Sequence, residues 1–114
     1  MAIDLYRYGS TAPICFKVTL NGVGVDVTLA AADVRLKTYD GVAWSTVANV
    51  GTACTAVDST QCPGLQQWIP AAGSNTQAEL IILNIKDNDG GGAFDENCLI
   101  IATGGDASAR FDAT

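Results

Sequence analysis

Between Lys86 and Asn97 the chain reads KDNDGGGAFDEN, which places Asp87, Asp89, Asp95 and Glu96 around three consecutive glycines. Clustered carboxylates are the raw material of a calcium site, because calcium accepts about six to eight oxygen ligands in varied arrangements. Aligned as an EF-hand loop from Asp87, the segment sets Gly91 at the fifth ligand position and Cys98 where the bidentate Glu belongs, so that loop type fails. Two readings remain: a looser calcium site built on Asp87, Asp89, Asp95 and Glu96, or a flexible turn whose acids keep an exposed tip soluble. The glycines do not form a phosphate cradle, since neither GxGxxG nor a GK[ST] ending follows them.

The chain contains no histidine. Hydrolysis by a Ser-His-Asp set in its common form is therefore excluded, and a cysteine nucleophile lacks its usual imidazole base. The four cysteines, Cys15, Cys54, Cys62 and Cys98, show no CxxC spacing, which argues against zinc. Cys54 and Cys62 flank TAVDSTQ and could close a disulfide loop in an oxidising medium; free thiols are the alternative expected of a cytosolic product. Paired carboxylates in the acidic loop are the one remaining catalytic option, and the expectation is a protein that is not an enzyme and has no cofactor.

The elements that must carry these residues read as strands. Ile14, Phe16, Val18 and Leu20 alternate with Cys15, Lys17 and Thr19, the period of a strand with one buried face. NGVG turns the chain, Val25, Val27 and Leu29 continue the alternation, and a further strand runs over Asp33 to Tyr39. Asp40-Gly41 signals a two-residue type I′ hairpin, which puts Tyr39 opposite Val42 and Trp44 opposite Lys37 on the polar side. Gly51 to Gly64 reads as an excursion rich in Thr, Ala, Ser and Gly, and LQQWIP as a short strand. AELIILNIK and CLIIAT are nearly continuous apolar runs, the mark of strands covered on both faces.

At 114 residues the chain has the length of one domain. About seven to nine short strands with regular turn signals predict an all-β fold, a single immunoglobulin-like β-sandwich over residues 1–103 followed by a C-terminal arm over 104–114. The charged fraction is low at 16% and the apolar fraction high at 48%, a balance that points to surface buried against partners or other copies, with a small Ala- and Gly-rich monomer as the alternative. A net charge of −6 argues against nucleic-acid binding, which relies on Lys and Arg at phosphates. No apolar run approaches a membrane span of about 20 residues. The start, MAIDLYRYGSTAP, lacks the layout of a secretory signal, so synthesis and folding in a cytoplasm are expected.

The stretch YRYGSTAPICFKVTLNGVGVDVTLAAADVRLKTYDG resembles the N-terminal immunoglobulin-like domains of tailed-phage baseplate and tail-fibre-associated proteins. The matching positions are Gly9-Ser10-Thr11, the strand from Ile14 to Leu20, and Val25-Asp26-Val27-Thr28 with Ala31. ADVRLKTYDG, AELIILNIKD and LIIATGGDASARFD are similar to segments of small phage virion proteins. The resemblance implies a tail- or fibre-associated structural protein of the virion, synthesised in the host cytoplasm, with other virion proteins or its own copies as partners and no catalytic residue. Capsid decoration and a carbohydrate- or receptor-binding module are the alternatives. Tyr6, Tyr8, Trp44, Trp68, Arg110 and Phe111 are the candidate contact residues, since aromatic and Arg side chains dominate interface energies; a core position is the alternative for each and the preferred reading for Trp68.

Overall fold

The computed structural model of the chain describes residues 6–105. Its strands are β1 (Ile14–Lys17), β2 (Thr19–Leu20), β3 (Val23–Gly24), β4 (Val34–Tyr39), β5 (Ala48–Asn49), β6 (Cys54–Ala56), β7 (Leu65–Trp68), β8 (Leu80–Ile85) and β9 (Asn97–Ala102). They form three antiparallel sheets, ordered β1-β7-β6, β2-β3 and β5-β4-β8-β9. The fold is all-β and sandwich-like, and among the described residues no helix is long and apolar enough to cross a membrane.

Alternation decides which residues meet in the middle. Ile14, Phe16 and Val18 point inward from the first layer, and Val34, Leu36, Ile81, Leu83, Ile85 and Ile101 from the four-stranded layer. Trp68, paired with Ile14 on one side and Cys54 on the other, is 1% exposed and fills the centre of the three-stranded sheet. Asn21-Gly22 makes the turn between β2 and β3 with φ of 53° and 83°, both left-handed, as a type I′ hairpin requires. Gly64, at φ 85°, brings its backbone against Val18; a Cβ there would lie 2.3 Å from the Val18 carbonyl oxygen.

Four local expectations change. Val25, Val27 and Leu29 do turn toward the core, but no strand forms there. Their backbone is held by other means: the Val25 N–H donates to the Val18 carbonyl at 3.1 Å, and Gln66 Nε2 donates to the Val27 carbonyl at 3.0 Å. In the Gly51 to Gly64 excursion, Cys54–Ala56 adds to β7 as a short, mostly exposed edge strand.

The hairpin after β4 is wider than Asp40-Gly41 predicts. Tyr39 pairs with Trp44, not Val42, and four residues connect them. The Asp40 carboxylate accepts the N–H groups of both Val42 and Ala43 at 2.8 Å, which commits Asp40 to an Asx turn; its φ stays negative, so the type I′ geometry is unavailable. The register moves by two residues, an even number, and Trp44 therefore keeps the solvent-facing side.

The largest correction concerns β9. It closes one end of the sheet order, pairing with β8, and its outer face is open: Ile100 is 67% exposed and Cys98 is exposed. β8, flanked on both edges, keeps Leu80, Ile82 and Asn84 half-buried on that same outer face. Among the described residues, the apolar runs thus lie in a layer covered on one side only.

Candidate docking face

The outer face of the β5-β4-β8-β9 sheet is set by register. Tyr39, Leu80 and Ala102 form one cross-strand row, Lys37, Ile82 and Ile100 the next, and Arg35, Asn84 and Cys98 the third. Trp44 adjoins the first row, with its ring centroid 5.0 Å from that of Tyr39 and the planes at 45°. Trp44 is 49% exposed. Aromatic pairs in such tilted arrangements favour each other by about 0.5–1.5 kcal/mol beyond area burial, so the rings hold a fixed, partly exposed platform. The face grades from aromatic and aliphatic at the Trp44 end to cationic at Arg35.

Of the contact residues expected from sequence, Trp44 stands on this face. Tyr6 does not. Its hydroxyl donates to the carbonyls of Ser10 and Ala12, at 3.1 and 2.6 Å, and its ring packs on the core, so it closes its own loop. Tyr8 is half-buried on the segment leading to Gly9, whose N–H donates to the Thr76 carbonyl. Trp68 belongs to the core and leaves the contact set. Arg110 and Phe111 lie outside the described residues, as does the C-terminal arm beyond Gly105.

The acidic loop between β8 and β9 spends its carboxylates on backbone amides. Asp87 accepts the Asp89 N–H at 3.2 Å through one oxygen and the Ala93 N–H at 2.9 Å through the other, which folds the triglycine back on itself. Gly90 and Gly92 take the left-handed φ values of 73° and 68° that this turn needs. Asp95 reaches to the β2-β3 turn, accepting the Asn21 and Gly22 N–H groups at 3.1 and 3.2 Å and the Thr19 hydroxyl at 3.0 Å. Asp89 and Glu96 remain exposed. The four acids are not brought together, and among the described residues no group of three or more His, Cys, Asp or Glu is placed to hold a metal. The loop is thus ordered by its own side chains instead of being a bare flexible connection.

These bonds hold the Asp95 carboxyl below the ordinary aspartate value of 3.8, first through the Gly22 amide, then Asn21, then Thr19. A folded-state pKa below the unfolded one gives stability that is present above about pH 4 and lost as pH falls through the folded value. Asp95→Asn is therefore expected to lower stability at neutral pH and to flatten its decline in acid, which denaturant titrations at pH 7 and pH 3 would read. An unchanged acid dependence in the variant would show that the clasp contributes nothing.

All four cysteines are free thiols, so Cys54 and Cys62 are not bridged. Cys54 sits half-buried in β6 with Sγ 3.6 Å from the Val50 carbonyl, and burial pushes its thiol up to about 11. Its thiolate is scarce at neutral pH, whereas Cys15, Cys62 and Cys98 are exposed. Iodoacetamide at pH 7.5 is expected to modify these three at least about tenfold faster than Cys54, as resolved by peptide mass spectrometry. Equal rates would contradict the placement of Cys54.

Asp33, with Gln66 and Thr76, is one of the buried polar residues that sequence reading passed over. It is 6% exposed, and its two oxygens accept the Ala30 N–H at 2.8 Å and the Asn88 N–H at 3.0 Å. It therefore pins the 3-10 turn Ala31–Asp33 before β4 and the first residues of the acidic loop after β8. The sequence signal, an Asp directly ahead of an alternating strand, says nothing about a partner 55 residues away.

No family model, no curated protein and no solved structure matches the chain.

Proposed function

We propose that the chain is a non-enzymatic structural subunit of a bacteriophage particle that docks onto other virion proteins through the outer face of its four-stranded sheet. The observation that carries this reading is the apolar strip of exposed Ile100 with half-buried Ile82, Leu80 and Tyr39, flanked by Trp44, on the outer face of a sheet whose other face forms the core. An exposed contiguous apolar patch marks an interaction surface, and a partly exposed Trp at its edge is the residue type that dominates interface energies. The resemblance of residues 6–41 to tail-associated domains favours a tail or fibre position, and capsid decoration would use the same face. The test is incorporation: replacing Ile100 by Lys should reduce the copies per particle at least about tenfold.

A carbohydrate-binding reading draws on one observation, the exposed Trp44-Tyr39 ring pair beside Lys37. It loses Trp68 as a second stacking surface, because that ring is in the core. Glycan-array binding that disappears in Trp44→Ala would favour this alternative, and absence of binding by the wild-type chain would favour protein docking.

A further inference from the structure

At the end of the outer face away from Trp44, a shallow cleft of about 200 Å³ is lined by Ala32, Arg35, Asn84, Lys86 and Asn88. Two of the chain's six basic residues meet there, and among the described residues no carboxylate lines the cleft, although the chain as a whole carries a net charge of −6. Asp33, Asp87 and Asp89 are neighbours in sequence of the lining residues, but the two charged side chains that line the cleft are both cations.

Its parts are held in place by the fold. Arg35 pairs with Asn84 across β4 and β8, and Lys86, the residue after β8, donates its N–H to the Asp33 carbonyl at 2.8 Å and lines the same cleft. Arg35 Nη2 donates to Asn88 Oδ1 at 2.7 Å, which ties one edge of the guanidinium to the loop after β8. Asn88 is itself anchored, its N–H held by the buried Asp33 at 3.0 Å. A guanidinium has about five N–H donors, so one bond to Asn88 leaves a free edge that can meet an oxyanion through two parallel hydrogen bonds. Lys86 adds a second cation, and the Asn84 amide offers a donor from the half-buried floor.

We infer that this cleft is a carboxylate-binding site, in which Arg35 and Lys86 engage the two oxygens and Asn84 and Asn88 orient them. Two sources offer that chemistry, a sugar acid and the acidic side chain of a protein partner. The site stands on its own lining and geometry, and its failure would leave the docking face unaffected.

The experiment is an amide NMR titration of the intact chain at constant ionic strength with three probes: glucuronate, N-acetylglutamate amide, and glucose as the uncharged control. Localised shifts at Arg35, Asn84, Lys86 and Asn88 are expected with an acid probe, with dissociation constants on the order of 1 mM or below, and none with glucose. The tighter acid identifies the source. Arg35→Gln and Lys86→Gln, each of which keeps a polar stem and removes the charge, should each weaken binding about tenfold while the rest of the spectrum is retained. Absence of localised shifts with both acids, or shifts unaltered in both variants, would overturn the assignment.

Discussion

Trp68→Ala is expected to destabilise the fold by about 3–5 kcal/mol, the cost of deleting a large buried aromatic and leaving a cavity. Trp68 is 1% exposed and stands between Ile14 and Cys54 in the three-stranded sheet, so no mobile side chain is at hand to refill the space. Domains of this size are stable by only about 5–15 kcal/mol, and each kcal/mol moves Tm by about 4–8 °C. The melting temperature should therefore drop by on the order of 15 °C or more, measured by circular dichroism, or the variant should not fold at all. Trp68→Phe, which keeps a ring in the same layer, should lose roughly half as much or less. A Trp68→Ala protein within about 1 kcal/mol of wild type would mean that the ring is not the centre of the sandwich.

The second large effect is expected at Asp33. Asp33→Ala removes the acceptor for two backbone N–H groups, of Ala30 and Asn88, in a place water does not readily reach. Hydrogen bonds to a charged acceptor are worth about 1.5–3 kcal/mol each, and removing a buried charge offsets part of that loss, so a net cost of about 2–3 kcal/mol is expected. Urea unfolding reads the total, and hydrogen exchange reads its place: the Ala30 and Asn88 amides should lose protection while those of β7 keep theirs. Asp33→Asn retains one carbonyl acceptor and should cost less. Equal protection at Asn88 in wild type and Asp33→Ala would show that the carboxylate does not tether the acidic loop.

The strands of the core were legible from alternation, because Ile14, Phe16, Val18, Val34 and Leu36 each need a buried face and the period of two assigns them to one. Asn21-Gly22 was legible for the same local reason, since its backbone angles are a property of those two residues. What failed depended on distant partners. CLIIAT reads as a strand enclosed on both sides, yet composition cannot tell a central strand from one at the end of a sheet with an exposed outer face. The Asp40 turn failed because a side chain intercepted two amides before the backbone could form the tighter turn. The acidic loop offered four plausible metal ligands, and the fate of Asp95 was decided by a hairpin 74 residues earlier in the chain. The Arg35 and Lys86 cleft had no sequence signal, because its members come together only through the β4-β8 register.

The docking face is tested most directly by counting copies of the chain in purified particles, by quantitative mass spectrometry, when Ile100→Lys replaces the wild type. Ile100 is 67% exposed on an outer face and contributes little to the core, so Ile100→Lys should keep its melting temperature. Val57→Lys supplies the control, a charge placed at an exposed residue just beyond β6, on the other sheet. A loss of at least about tenfold in particle-bound Ile100→Lys, with Val57→Lys retained, is the expected result. Incorporation of folded Ile100→Lys at the wild-type level would contradict docking through this face.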